Sequence, residues 1–285
     1  MEPTQPTGSA TLHCSEVWGG NTAADTAVAA TGLNVWVYSR PYAGSEGGGD
    51  IHYLTLCSQG RIARFALADV SGHGSAVDAL ATTLRRQMRK SMNRLDQAGI
   101  ARALNRAFAE LAGAGRFATA LLVTYDAHSD HLIICNAGHP RPLLRRAGDS
   151  SWTLLDADSA CAVTDSTGGE SGLPLGVIES TEYAQFAVPL GVGDVVLLYT
   201  DALIEAHNGD GRLLSEAGLA DLLDGAAVGE PDRLVSEMLM RVESVRGGAD
   251  AEDDVTILAL HHHAGAPPSL TLLDRARSLS RLMGL

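Results

Sequence analysis

Polar and apolar residues alternate over long parts of this chain, with the period of two that is typical of β-strands burying one face. In segment 33–39, for example, the alternate positions Leu33, Val35 and Val37 are apolar. Residues 195–198 are apolar at every position, which predicts a strand over 195–199 that is covered on both faces. The other predicted strands are 51–57, 62–68, 117–125, 132–135, 142–144, 152–155, 183–188 and 255–260.

The period changes to that of a helix in two places, each of which predicts a pair of helices. The first pair covers 77–90 and about 100–111, and the second pair covers 216–223 and 231–245. We expect the apolar stripe of each helix to pack in the core. In the helix at about 100–111 this stripe is formed by Ile100, Leu104, Phe108 and Leu111. Strands that flank helix pairs, with hairpin-length connections instead of regular β-α-β alternation, predict an α+β fold with mostly antiparallel sheets.

The two ends of the chain lack these patterns. Segment 1–29 is rich in Thr, Ala, Gly and Ser without a sustained period, and we expect it to be an irregular leader. Segment 264–285 opens with a linker composition of Ala, Gly and Pro, and its later apolar spacing predicts a short amphipathic helix. Between them, residues 30–263 show no internal repeat and no boundary, so we expect one domain there.

Composition narrows the classes of function. With 285 residues, of which 45% are hydrophobic, the chain can bury a sizeable core. A net charge of −13 makes a nucleic-acid backbone an unfavourable partner. No apolar run is long enough to span a bilayer, no secretion signal opens the chain, and the cysteines are scattered without a C-x-x-C pair. We therefore expect a cytoplasmic protein that binds neither nucleic acid nor membrane and keeps its cysteines as reduced thiols.

Acidic residues stand at the ends of four predicted strands, each beside small residues or a turn. Asp50 follows three glycines, and Asp69 and Asp201 each close a strand. Asp253 and Asp254 open the last strand. If these carboxylates meet, they repel one another strongly unless cations neutralise them, so the pattern predicts a metal site. Carboxylate oxygens without Cys or His at ligand spacing favour Mg²⁺ or Mn²⁺, and a pair of such ions suits attack on a phosphomonoester.

Short motifs along the chain occur in the order found in a known family. They are Gly48-Gly49-Asp50, Ala68-Asp69-Val70-Ser71-Gly72-His73-Gly74, Phe117-Ala118-Thr119-Ala120, Asn136-Ala137-Gly138-His139-Pro140, Gly172-Leu173-Pro174-Leu175-Gly176, Tyr199-Thr200-Asp201 and Asp253-Asp254-Val255-Thr256. Each motif alone is weak, but their order and spacing over roughly residues 30–262 are specific. In these motifs the chain resembles the metal-dependent serine/threonine phosphatases of the protein phosphatase 2C superfamily, in the branch of the bacterial sporulation stage II protein E.

The resemblance implies an αββα sandwich, in which helices flank two mostly antiparallel β-sheets and a site for two Mn²⁺ or Mg²⁺ ions lies at one end. It implies that Asp69 bridges the two ions and that Val70 contributes its backbone carbonyl. Asp50 would then hold one ion, and Asp201 and Asp253 would hold the other. These four aspartates are the catalytic residues that the resemblance implies.

Asp254 stands where relatives often carry an amide, and it ranks second as a metal ligand. The resemblance further implies a substrate that is a protein phosphorylated on serine or threonine, usually a small anti-anti-sigma factor within a partner-switching circuit. A homodimer is compatible with this interpretation.

Ala202 departs from the family pattern, which usually has glycine directly after the aspartate of the Tyr199-Thr200-Asp201 motif. If the backbone at this position needs a positive φ, alanine strains the metal site by roughly 1 kcal/mol or more. The alternative function is therefore a catalytically weak or inactive member that acts as a partner-binding regulatory module. For Asn136 and His139, which lie in a motif rich in turn formers, we predict a role in stabilising a loop and not in catalysis.

Overall fold

Two six-stranded antiparallel sheets form the centre of the structure. A computed structural model describes residues 16–42, 45–58, 60–72, 75–92, 94, 96–112, 115–158, 172–226, 230–249 and 251–265. At positions 75, 76, 78 and 79 it describes the backbone alone. No helix among these residues is long and apolar enough to cross a membrane.

Each sheet is built from strands that are distant in sequence. The first sheet contains, in spatial order, β1 (Val17–Gly20), β4 (Ile51–Cys57), β5 (Ile62–Val70), β6 (Ala118–Asp126), β7 (His131–Ala137) and β10 (Gln185–Pro189). The second sheet contains, in spatial order, β2 (Ala24–Ala30), β3 (Leu33–Arg40), β12 (Val255–His262), β11 (Val195–Tyr199), β8 (Leu143–Arg145) and β9 (Thr153–Leu154). The helices are α1 (Ser75–Ser91), α2 (Gln97–Ala112), α3 (Ser215–Leu223) and α4 (Pro231–Val245).

Three hydrophobic clusters hold these elements together as four layers. Between the sheets, residues such as Leu67, Val123 and Leu258 form the central cluster. Apolar residues of α1 and α2 pack on the outer face of the first sheet, and those of α3 and α4 pack on the outer face of the second. This arrangement confirms the predicted αββα sandwich of two mostly antiparallel sheets.

The alternation that builds the central cluster also positions the candidate site. Along β5 the side chains of Phe65 and Leu67 face the other sheet, so the next residue of the same parity, Asp69, lies on that inner face where the strand ends. Leu258 and Leu260 of β12 likewise place Asp254 on the inner face of the second sheet. The period of two therefore continues from the apolar core into a polar end of the sandwich.

Two predictions about the ends and helices of the chain are wrong. The predicted irregular leader over 1–29 contains β1 and all of β2 except Ala30, and each of these strands forms one edge of a sheet. These strands are short or rich in alanine, so pairing with β4 and β3 determines their conformation more than their own pattern does. Leu111 was expected in the core, but it is 51% exposed because it lies in the last turn of α2.

Other predictions fall wholly or partly outside the described residues. Residues 1–15 of the leader and 266–285 of the predicted linker and helix are outside them, as are Cys14 and Cys161. Within the described part, Cys57 and Cys135 are both free thiols, as expected.

Candidate metal centre

Four strand ends bring the predicted acidic residues to one end of the sandwich. Asp50 directly precedes β4, and Asp69 is the last residue but one of β5. These two strands are antiparallel neighbours, with Ile51 opposite Ala68, so both acids lie at the same end of the first sheet. In the second sheet the end of β11 is paired with the start of β12. Asp201 and Asp253 therefore lie at the same end of the second sheet.

Hydrogen bonds connect the two sheets at this end. The hydroxyl of Thr200, which follows β11, donates to Oδ2 of Asp50 at 2.8 Å. The backbone N–H of Thr256 donates to the same hydroxyl at 2.9 Å, and the Thr256 hydroxyl lies 3.1 Å from that of Ser39. A buried layer of hydroxyl groups thus separates the apolar core from the acids and holds Asp50 from below.

Asp254 has a different environment from the other acids. Its Oδ1 accepts a hydrogen bond from the backbone N–H of Tyr42 at 2.6 Å. Its Oδ2 accepts from the backbone N–H groups of Gly49 at 2.5 Å and Asp50 at 3.2 Å. Both oxygens are therefore used to hold the glycine turn that precedes β4 against the second sheet.

Glycine is required in this turn because oxygen atoms surround it closely. A Cβ on Gly48 would collide with the carboxylate of Asp254. A Cβ on Gly49 would lie 3.2 Å from the carbonyl oxygen of Val70 and 3.5 Å from Oδ1 of Asp69. The predicted ligands Val70 and Asp69 therefore face the turn that carries Asp50.

Burial and mutual repulsion raise the pKa values of the acids. Burial, followed by the charges of Asp201, Asp253, Asp254 and Glu205, raises the pKa of Asp69 to about 8. Burial and the neighbouring Glu205 and Asp253 raise the pKa of Asp201 to about 6. A cation bound among these carboxylates would stabilise their charged forms, so the raised pKa values are consistent with a candidate metal site.

The pKa of Asp50 is also raised well above its usual value. Burial is the main cause and the charge of Asp69 the next, while hydrogen bonds from Thr256 and Thr200 act in the opposite direction. Asp50 is thus electrostatically coupled to the acid that is predicted to bridge the ions.

The acidic side chains lie at the same end of the sandwich but are not arranged around one common position. Among the residues that the structure describes, no group of three or more His, Cys, Asp or Glu side chains is arranged to hold a metal ion. One reason is visible in the hydrogen bonds, since Asp50 is turned toward Thr200 and Asp254 is occupied by backbone N–H groups. The donor set of carboxylates and one carbonyl still suits a hard divalent cation.

Ala202 adopts a backbone conformation that alanine tolerates. It lies in a 3₁₀-helix over Asp201–Leu203, and it is not among the residues with positive φ. Its side chain is buried in the cluster beneath α3 and α4. The strain expected for alanine at this position is therefore absent.

Glu205 was missed as a member of the site. Its charge raises the pKa values of both Asp69 and Asp201. Its backbone N–H donates to the carbonyl of Asp201 at 2.9 Å, so a helical turn places the two residues on the same side. The spacing of four residues after Asp201 is the sequence signal that could have identified it.

Asn136 stabilises its loop as predicted. Its amide nitrogen donates to the carbonyl of His139 at 2.8 Å, and its amide oxygen accepts from the backbone N–H of His139 at 2.8 Å. The ring of His139 is buried and its Nδ1 lies 2.9 Å from the hydroxyl of Thr119. The contact of the His139 ring with the Thr119 hydroxyl joins two sequence motifs, and it was not predicted from the sequence.

Comparison with known proteins agrees with this architecture. Residues 59–263 match the family model described as stage II sporulation protein E (SpoIIE). Among solved structures, the RsbU and RsbW domains of Rv1364c from Mycobacterium tuberculosis are 28% identical, with 90% of this chain and 69% of that chain covered and a TM-score of 0.65. The SiaA-PP2C domain of Pseudomonas aeruginosa is 19% identical, with 80% and 84% covered and a TM-score of 0.64. RsbX in complex with magnesium is 16% identical, with 84% and 99% covered and a TM-score of 0.58.

Proposed function

The chain belongs to the stage II sporulation protein E family, and we propose that it is a metal-dependent phosphatase of phosphoserine and phosphothreonine in proteins. The location of four strand-end aspartates, Asp50, Asp69, Asp201 and Asp253, at the same end of the sandwich carries this proposal. A phosphatase of this kind suits the family and the fold of its PP2C-type structural neighbours.

We propose Mn²⁺ or Mg²⁺, as two ions, for the cofactor. When bound, such ions lower the pKa of a water molecule and polarise a phosphoryl oxygen. The neighbour RsbX, whose structure contains magnesium, supports a divalent cation in this fold.

Each acid has a proposed task that follows from its surroundings. For Asp69 we propose the task of a ligand to both ions, because the charges of acids from both sheets act on it. The carbonyl of Val70 faces the glycine turn beside Asp69 and completes one side, together with Asp50. Asp201 and Asp253 form the other side.

For Asp254 we propose a structural task in place of metal binding. Its two oxygens accept three backbone hydrogen bonds, from Tyr42, Gly49 and Asp50, and so fix the turn that presents Asp50. Glu205 adds negative charge at the exposed rim, which attracts cations to the site.

For the substrate we propose a phosphorylated regulator of the anti-anti-sigma type. The structural neighbour that combines RsbU and RsbW domains supports a partner-switching role. A cavity of about 250 Å³, lined by Ala202, Glu205 and Asp253 among others, opens next to the candidate site.

The test is hydrolysis of p-nitrophenyl phosphate and of serine-phosphorylated anti-anti-sigma proteins from the same genome, with and without Mn²⁺. We expect activity that needs the metal, that EDTA removes and that Asp69→Asn abolishes. Asp126→Asn is the matched control, since Asp126 ends β6 at the opposite end of the same sheet and should leave activity unchanged. Hydrolysis that persists in EDTA would contradict the proposal.

The alternative of an inactive, partner-binding member had its basis in Ala202. Because Ala202 needs no positive φ in this fold, that basis is gone and we do not propose the alternative.

A further inference from the structure

We propose that Thr119 and His139 form a hydrogen-bonded pair that positions the attacking water beside Asp69. The inference rests on the proposed phosphatase function. It assigns a task to two sequence motifs, those around Thr119 and His139, that the metal ligands leave without one.

Thr119 lies beside the central acid of the candidate site. In the pairing of β5 with β6, Thr119 is directly opposite Asp69. Residues opposite each other in antiparallel strands point to the same face, with Cβ atoms roughly 4.5–5.5 Å apart. Since Leu67 and Leu121 pack between the sheets, Asp69 and Thr119 share the inner face at the polar end.

His139 is held rigidly from its own loop. The side chain of Asn136 binds both the carbonyl and the backbone N–H of His139. Gly138, with φ of +70°, makes the turn between them, and any Cβ there would collide with Pro174. The ring of His139, which is 5% exposed, is thereby fixed with Nδ1 2.9 Å from the Thr119 hydroxyl.

The surroundings of the ring decide which atom donates. Burial lowers the pKa of His139 to about 3, so the ring is neutral and only one nitrogen carries a proton. The backbone of Tyr199 acts on the ring as an acceptor, although Nε2 makes no hydrogen bond of good geometry there. We assign the ring proton to Nε2, toward Tyr199, so that Nδ1 is the acceptor and the Thr119 hydroxyl donates to it.

This direction has a chemical consequence. A Thr119 hydroxyl that donates to His139 has no proton left for Asp69, so it does not compete for the carboxylate oxygens. Its lone pairs remain available to accept a hydrogen bond from a water beside Asp69. The pair thus orients a water proton away from the face that must attack phosphorus.

Burying a threonine hydroxyl and an imidazole among strands is costly unless they bond each other well. Valine has nearly the shape of threonine and would fill the same space at the end of β6 without burying a hydroxyl. The polar pair is therefore better explained by a task at the site than by packing alone.

The test compares Thr119→Val, Thr119→Ser, His139→Leu and the double variant Thr119→Val/His139→Leu, with p-nitrophenyl phosphate and saturating Mn²⁺. We expect Thr119→Val to lower kcat by about tenfold or more with little change in KM. The reason is that orientation of the attacking water stabilises the transition state and not the bound substrate. Thr119→Ser keeps the hydroxyl and should remain within about threefold of wild type. The double variant should be no worse than the poorer single variant, because the two residues act as a unit.

Two measurements do not depend on turnover. Calorimetry should give Thr119→Val the Mn²⁺ affinity of the wild-type protein, since Thr119 is not a ligand. In metal-free protein, ¹⁵N NMR should show His139 as a neutral ring with an unprotonated Nδ1 whose signal shifts in Thr119→Val. Thermal unfolding of Thr119→Val should show a cooperative transition, which checks that the variant is folded.

The outcomes separate this inference from the proposed function. A wild-type protein without Mn²⁺-dependent activity would overturn both. If the wild type is active but Thr119→Val keeps its kcat, the positioning pair alone is overturned. The same holds if the loss of kcat in the double variant equals the product of the losses in the two single variants. A protonated Nδ1 would overturn the assigned direction of the hydrogen bond and with it the role of the hydroxyl.

Discussion

Replacing Asp254 should weaken folding more than metal binding, whereas replacing its neighbour Asp253 should do the reverse. Asp254 is 7% exposed and accepts three backbone hydrogen bonds, from Tyr42, Gly49 and Asp50. The pair of adjacent aspartates therefore provides its own control, because the same substitution is made one residue apart.

The size of the effect follows from those three hydrogen bonds. A hydrogen bond to a charged group contributes about 1.5–3 kcal/mol, and the contributions of bonds to one carboxylate do not add fully. Removing Asp254 also relieves its repulsion of Asp69, which offsets part of the loss. We expect Asp254→Ala to lower the free energy of unfolding by about 3 kcal/mol. Asp254→Asn, which keeps one acceptor oxygen, should lower it by about 1–2 kcal/mol.

The assay is urea unfolding followed by circular dichroism in EDTA, together with calorimetric titration of Mn²⁺. Asp253→Asn should leave the metal-free protein at least as stable as wild type, because it removes a charge that repels Asp69 and Asp201. It should lose Mn²⁺ binding, while Asp254→Asn retains it within about tenfold. The reasoning is refuted if Asp254→Asn unfolds like wild type and no longer binds Mn²⁺, since Asp254 would then be a ligand and not a support of the turn.

Three further predictions concern the same end of the sandwich. In EDTA the free energy of unfolding should fall as the pH rises from about 4 to about 8, because folded Asp69, with a pKa raised from 3.8 to about 8, retains a proton that the unfolded chain releases. Asp69→Asn should flatten this dependence in urea titrations at several pH values, and an unchanged slope would contradict the assignment. Gly48→Ala should lower the free energy of unfolding by about 2 kcal/mol, because the added Cβ collides with Asp254. Gly20→Ala is the control and should be neutral, because no atom lies within 4 Å of a Cβ added there. Equal stabilities of the two variants would argue against the tight turn. Glu205→Gln should weaken Mn²⁺ binding about threefold at low salt and less at high salt. An effect that does not depend on salt would show that Glu205 contacts the ion directly instead of attracting it through long-range electrostatics.

The alternation of apolar residues was sufficient to predict most of the fold. Val195 to Leu198 and the helical stripe of α2 were recognised because burial on a regular element leaves a regular pattern. The edge strands β1 and β2 were missed because alanine and glycine carry little pattern and the strands form through pairing with their neighbours. Leu111 was misplaced because a stripe shows which face of a helix is apolar but not where the sheet beneath it ends.

The candidate site was predictable in its acids and not in their contacts. Asp50 and Asp69 follow from their positions at strand ends, which the chain itself records. The role of Asp254 depends on a turn more than two hundred residues away, at Gly49, and no local pattern reports such a contact. The meeting of Thr119 with His139 likewise depends on the path of β6 and β7 through the sheet.

If Asp69 binds metal as proposed, its raised pKa couples the binding of metal to the release of a proton. Below a pH of about 8 the metal-free protein keeps a proton on Asp69, and a cation that binds there must displace it. We therefore expect metal uptake to release protons, and calorimetry in buffers of different ionisation enthalpy can count them. By the same linkage, we expect acidification of the solution to favour release of the proposed ions, so that pH and the supply of divalent cations would together set the occupancy of the site.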